Sequence, residues 1–185
     1  MLKITLDTNQ IGNMKLTQIQ NTIKDLNIEI STTSVTDREI RGSGIKPLGS
    51  SILETGVWDE SDWGKAVWGG NVSERFVLGE SELDNAKLGS TKQNMLEVIL
   101  QIIGDGSFPK IGSRGHLSKG QRNQLRDAMI LEAHVSEKRD ILVSDDKKAY
   151  IGKDGSKRRK LEKKFGTKIL TSEEFIKLIK KGNIK

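Results

Sequence analysis

The stretch Ile141-Leu142-Val143-Ser144-Asp145-Asp146 is a run of three apolar residues that breaks off at a hydroxyl and two carboxylates. A short apolar run with charge on both sides reads as a strand buried on both faces, the form strands take in a parallel sheet. Lys168-Ile169-Leu170 is a second such run, and the basic segment Lys157–Phe165 between them reads as a helix. Upstream, a long helix is expected from about Gln121 to Lys138. At the start of the chain, residues 2–6 alternate and are rich in β-formers, so they read as a strand ending at Asp7. Residues 15–26 place Leu16, Ile19, Ile23 and Leu26 at helical spacing, and Asn27–Ile30 reads as a second strand. Thr33 or Ser34 can then cap a short helix through Ile40. Residues 92–103 resume as an amphipathic helix stopped by Gly104. Ser172 with Glu173 and Glu174 opens a last helix that Gly182 closes. Strands separated by helices imply an α/β fold with a parallel sheet and ligands beyond the carboxyl ends of the strands.

The 185 residues suffice for one full domain with a core. At 34% hydrophobic and 30% charged, the composition is that of a globular chain. No stretch approaches the roughly 20 apolar residues of a membrane span. The charges at Lys3 and Asp7 argue against a signal peptide, so a cytoplasmic location is expected. The absence of cysteine excludes disulfides and thiolate zinc sites. With only His116 and His134 as imidazoles, a metal site would be oxygen-liganded, which favours Mg2+ or Mn2+. The formal charge of +6 is unevenly spread: residues 1–105 carry 10 Lys/Arg against 15 Asp/Glu, and residues 106–185 carry 21 against 10. A basic half suggests a polyanionic partner, although a lysine-rich surface can also serve solubility alone.

Asp7 and the pair Asp145 and Asp146 fall at the carboxyl ends of two expected parallel strands, and Asp127 lies on the helix feeding the second of them. Parallel strands bring such ends to one edge, where clustered carboxylates repel unless they hold a cation. Each acid also has a plainer reading. Asp7 could cap a turn, Asp127 could be a solvated helix residue, and Asp145 or Asp146 could cap the next segment. His134, seven residues after Asp127, is either a participant or a buried histidine.

Several local sequences together carry a resemblance. Leu6-Asp7-Thr8-Asn9, then Ser34-Val35-Thr36-Asp37-Arg38-Glu39-Ile40, then Arg126-Asp127-Ala128-Met129-Ile130-Leu131-Glu132-Ala133, then Ile141–Asp146, and finally Gly166–Phe175 resemble, in order, the segments of the PIN-domain nucleases. The resemblance covers the chain except for about 42–91. It implies a single three-layer α/β/α domain over residues 1–185, with an irregular, β-rich insertion at about 42–91. It also implies a single-strand endoribonuclease using Mg2+ or Mn2+, of the kind found as the toxin of a toxin–antitoxin pair. RNA, an antitoxin protein and a second copy in a homodimer are then the expected partners. Carried over residue by residue, the resemblance makes Asp7, Glu39, Asp127 and Asp146 the catalytic, metal-binding acids, with Asp145 not separable from Asp146. Thr8 and Ser144 match hydroxyl positions beside the carboxylates, and Asn9 matches a position that bridges the turn. Asp37, two residues before Glu39 and on a different helix face, is the weaker candidate. The alternative is a catalytically silent PIN-like module that binds RNA or protein. A phosphoryl-transfer protein is disfavoured because no P-loop pattern occurs.

The segment Lys147–Lys160 follows the Asp pair directly. Its Lys153, Lys157, Arg158 and Arg159, with Arg114 and Arg122 on the loop leading to the Asp127 helix, are the expected phosphate contacts. Tyr150 could stack on a base. Within 42–91, Trp58, Trp63 and Trp68 are matched 20 positions later by Leu78, Leu83 and Leu88. This five-residue recurrence resembles the pentapeptide-repeat pattern, with a pair of duplicated hairpin-like arms as the alternative. The insertion carries 4 Lys/Arg against 8 Asp/Glu, so it suits docking on a core or partner better than gripping RNA.

Overall fold

The computed structural model describes residues 1–12, 14–43, 51–53, 91–110, 113–114 and 116–182. The chain divides into two compact units, residues 1–54 with 133–185, and residues 55–132. The tandem recurrence at 56–89 lies outside the described residues. No helix among the described residues is long and apolar enough to cross a membrane.

The first unit is built on a five-stranded, all-parallel sheet: an α/β arrangement. Its strands are β1 (Leu2–Leu6), β2 (Ile28–Thr33), β3 (Ser51–Leu53), β4 (Ile141–Val143) and β5 (Lys168–Leu170), in the order β3-β2-β1-β4-β5. The strands from residues 2, 141 and 168 form as the apolar runs predict. Two differences from the sequence reading stand out. β2 runs on through Ser31, Thr32 and Thr33, because pairing with β3 holds the backbone of all three whatever the side chains. β3 also lies inside the stretch expected to be irregular, and three residues are too few to show a period.

The helices of this unit are α1 (Met14–Ile23), α2 (Ser34–Ser43), α5 (Ser156–Phe165) and α6 (Ser172–Lys180). Thr33 caps α2 by accepting from the Thr36 N–H at 3.2 Å. For α6 the cap is Thr171, in a reciprocal capping box with Glu174, rather than the expected Ser172. Ile4, Leu6, Ile141 and Val143 on one sheet face pack with Ile19 and Ile23 of α1 and Phe175 and Ile179 of α6 into a single buried cluster.

The second unit contains α3 (Thr91–Ile103) and most of α4 (Lys119–Ser136), whose last turn belongs to the first unit. Leu96, Ile99, Leu100 and Ile103 are buried at the spacing of one helix face. Gly104 ends α3 as expected: a Cβ there would sit 3.0 Å from the Leu100 carbonyl and 3.1 Å from the Phe108 Cβ.

On the other side of β1, His134 is fully buried. Its Nδ1 lies 2.9 Å from Thr5 Oγ1 and its Nε2 lies 2.5 Å from Thr167 Oγ1. Both ring nitrogens are thus spent on holding β1 to the segment before β5, which is the buried-histidine alternative. Arg139 adds a second tie. Its Nη1 pairs with Glu29 at 2.7 Å, and its Nη2 donates to the Ile4 and Glu29 carbonyls at 2.9 and 3.0 Å.

Burial, followed by the nearby Arg139 cation, depresses the His134 pKa to about 3. The unfolded chain therefore binds a proton below about 6.5 that the folded chain refuses until about 3. Stability contributed by neutral His134 is complete above pH 6.5 and is lost as pH falls toward 3, by at most ~1.4 kcal/mol per pH unit. His134→Gln keeps a donor and an acceptor but does not titrate. Denaturant unfolding between pH 7 and 4 is expected to show a shallower acid loss for this variant than for wild type.

Candidate active site

One register step beyond the paired ends of β1 and β4, the backbone ladder continues. Asp7 N–H donates to the Val143 carbonyl at 3.1 Å, and Ser144 N–H to the Leu170 carbonyl at 2.9 Å. Asp7 and Ser144 therefore stand side by side at the carboxyl edge. Asp7 is only 3% exposed. Its Oδ2 accepts from Ser144 Oγ at 2.5 Å and from Asn9 Nδ2 at 2.7 Å, and its Oδ1 accepts from the Thr8 N–H at 2.7 Å. The turn-cap reading of Asp7 holds, and the cap uses only part of the carboxylate's capacity.

Glu39 approaches from α2, and Thr8 Oγ1 donates to its Oε2 at 2.5 Å. Asp146 follows β4: its N–H donates to Ser144 Oγ at 3.0 Å, and its Oδ1 accepts from the Ala149 N–H at 2.7 Å, capping a single π-helical turn over Lys147–Ile151. The hydroxyls of Thr8 and Ser144 thus meet the carboxylates of Glu39 and Asp7, and the Asn9 side chain lies between Asp7 and the Asp145 N–H. Burial raises the Asp7 carboxyl to about 6 against the lowering by its hydrogen bonds, and the like charges of Glu39 and Asp146 add to the rise.

Asp145, which the sequence left paired with Asp146, turns elsewhere. Its carboxylate accepts from Lys15 Nζ at 2.8 Å and from Ser172, both from the N–H at 3.0 Å and from Oγ. These donors, with the Gln10 side chain, outweigh burial and hold its pKa well below the usual carboxylate range. No motif marks Lys15 or Gln10, and the sequence marks Ser172 only as the opening of a helix. Asp37 is buried on α2. Asp127 lies on the part of α4 that belongs to the second unit.

The edge also differs from the expected cluster of carboxylates. Asp7 is covered, and among the described residues no three His, Cys, Asp or Glu side chains are gathered into a metal-holding group. Asp7 feels the charges of Glu39 and Asp146, but the three are not gathered into one metal-holding group.

The basic residues behave unevenly. In the first unit Lys157 is buried and donates from Nζ to the Lys148 carbonyl at 3.1 Å. Gly152 makes room for it: with φ at 71° it suits a glycine, and a Cβ there would lie 2.7 Å from Lys157 Cγ. Arg158 pairs with Glu174 at 2.7 Å, and Arg159 Nη1 donates to the Asp154 carbonyl at 2.7 Å. In the second unit, buried Arg114 pairs with Glu97 at 2.6 Å and lies over the Phe108 ring, and Arg122 donates to the Leu117 carbonyl at 2.8 Å. Lys153, Arg159 and Lys160 remain exposed, together with Lys147 and Lys148 beside Asp146. Tyr150 is fully buried, so it offers no ring for stacking.

Because Asp7 has a folded pKa of about 6 against 3.8 unfolded, its protonated form stabilises the fold fully below 3.8, and that contribution is lost as pH rises through 6. Asp7→Asn is therefore expected to be more stable than wild type at pH 7.5 in chelator, by on the order of 1 kcal/mol, with the gain absent at pH 3.5. Paired denaturant titrations at the two pH values check this. Compared with known proteins, the chain matches no family model, no curated protein and no solved structure.

Proposed function

We propose that this chain is a metal-dependent endoribonuclease of PIN type acting on single-stranded RNA. The observation that carries the reading is the Asp7 carboxyl. It is buried at the carboxyl edge of an all-parallel sheet and pushed up to about 6, with the like charges of Glu39 and Asp146 contributing. An excess of negative charge among oxygen donors is the chemistry a hard divalent cation relieves. Mg2+ commonly keeps several waters and takes only one or two protein carboxylates, so a compact three-acid group is not required for it.

Asp7, Glu39 and Asp146 are the residues that would hold Mg2+ or Mn2+; Asp127 enters from the sequence resemblance alone. When bound, such an ion acidifies a water and neutralises charge on phosphoryl oxygens. The chain's own residues prepare that chemistry. Ser144 and Asn9 fix the Asp7 carboxylate, Thr8 fixes Glu39, and the capped turn fixes Asp146. Exposed Lys147, Lys148, Lys153, Arg159 and Lys160 supply positive charge for a phosphate backbone. A second reading, a silent RNA- or protein-binding module, draws on the absence of a three-acid group among the described residues. A toxin role with an antitoxin partner, and a homodimer, belong to this proposal as consequences of the family resemblance.

Cleavage of single-stranded RNA is expected with Mn2+ or Mg2+ and not in chelator, and Asp7→Asn and Asp146→Asn are expected to abolish it. Wild-type protein that binds RNA but leaves it intact under every metal condition supports the silent module instead. Replacing Lys153, Arg159 and Lys160 together with Gln is expected to weaken binding to unrelated RNA sequences. It should also reduce the slope of log affinity against log salt by about 2. Fluorescence anisotropy across a salt series measures both.

A further inference from the structure

We propose that Asp145 is a positioning residue rather than a metal ligand: its carboxylate is a clasp that fastens the Ser144–Asp146 strand end to α1 and α6, and so keeps Asn9 and Ser144 seated on Asp7. The inference rests on the nuclease reading for its kinetic consequence but not for its geometry.

The donor count comes first. A carboxylate offers about four lone-pair sites. Asp145 meets three donors at hydrogen-bond distance, the Ser172 N–H, the Ser172 hydroxyl and Lys15 Nζ. Ser172, at 1% exposed, presents its hydroxyl across both oxygens, at 3.1 and 2.8 Å. A metal ion would have to compete with these partners for the carboxylate. Asp146, one residue on, has one carboxylate oxygen engaged by the Ala149 N–H.

The connection to the site comes second. The Asp145 backbone N–H donates to Asn9 Oδ1 at 3.2 Å, and Gln10 Nε2 donates to the same oxygen at 2.5 Å. With its oxygen held, Asn9 must present Nδ2 the other way, and that group donates to Asp7 Oδ2 at 2.7 Å and lies 3.2 Å from Ser144 Oγ. The amide orientation is therefore dictated, since a reversed Asn9 would set an oxygen against the Asp7 carboxylate. The anchors on the far side are Lys15 in the first turn of α1 and Ser172 at the start of α6. These helices belong to the apolar cluster under the sheet, so the clasp ties the acidic edge to the core.

The test compares Asp145→Asn, Ser172→Ala and Lys15→Met with wild type and Asp7→Asn, by Mn2+ binding with the metal alone, by RNA cleavage kinetics and by the NMR signal of the Asn9 side-chain amide. The three clasp variants are expected to bind Mn2+ within about threefold of wild type. Their kcat should fall roughly tenfold to a hundredfold, as when groups supporting a ligand are removed, with KM for RNA little changed. Their Asn9 amide signal should shift. Loss of Mn2+ binding in Asp145→Asn to the extent seen in Asp7→Asn would make Asp145 a ligand and overturn the proposal. Wild-type kcat in all three variants at a temperature where they are folded would also overturn it, since the clasp would then only add stability. If wild type neither binds Mn2+ nor cleaves RNA, the nuclease reading fails on its own account. The Asn9 signal still decides the clasp, and an unmoved signal in Asp145→Asn and Ser172→Ala refutes it.

Discussion

Most of the first unit's architecture bears on a single carboxylate. Asp7 stands where β1 leaves the sheet, and taking an ionised group out of water there costs several kcal/mol unless its oxygens are supplied with donors. The donors come from three directions: Thr8 from the turn the carboxylate itself caps, Asn9 from the next residue, and Ser144 from the neighbouring strand. The last of these exists only because β1 and β4 run parallel in a register that pairs Leu6 with Val143. A slip of one residue would turn Ser144 to the opposite face and leave Asp7 with local donors alone. The register is in turn held by the apolar cluster of Ile4, Leu6, Ile141 and Val143 against α1 and α6. Core packing and the state of the acidic edge are therefore one problem.

The same economy explains why charged residues close in sequence differ so much in environment. Asp145 and Asp146 are adjacent, yet successive residues leaving a strand point to opposite sides. One is held by Lys15 and Ser172, and the other lies close enough to Asp7 to raise its pKa. Among the cations of the Lys153–Lys160 segment, tertiary packing sorts the residues. Lys157 is turned into the protein, where its ammonium donates to the Lys148 carbonyl, whereas Lys160, three positions on, is exposed. A lysine so buried contributes a hydrogen bond and packing more than it contributes field at the surface. The net charge of the basic half therefore overstates what a polyanion would meet.

Two polar ties, His134 between Thr5 and Thr167 and Arg139 among Glu29 and two carbonyls, hold the sheet away from the acidic edge. Buried polar groups of this kind are tolerable only when their partners are in place, which makes them sensitive to the arrangement of strands that brings the partners together. His134 shares a helix with Asp127 and sits two turns along it, so its reading as a participant in chemistry was reasonable from spacing. Its two hydroxyl partners leave neither ring nitrogen for that purpose.

By itself the sequence determined the strand–helix alternation. It determined the placement of Asp7, Ser144 and Asp146 just past strand ends, a helix cap at Thr33 or Ser34 and the stop at Gly104. All of these follow from local period, turn chemistry and side-chain size, which act over a few residues. The five-residue period at 56–89 is equally plain in the sequence, although it lies outside the described residues. Only the tertiary structure decided which of Asp145 and Asp146 lies near Asp7, that Lys15 and Ser172 share a carboxylate with Asp145, and that Lys157 and Arg114 are buried. It also decided that residues 51–53 complete the sheet. Each of these depends on contacts between residues far apart in the chain, for which no local pattern carries a signal. A three-residue edge strand and a lone serine under a carboxylate look like any other short segment and any other serine until the sheet register brings their partners alongside.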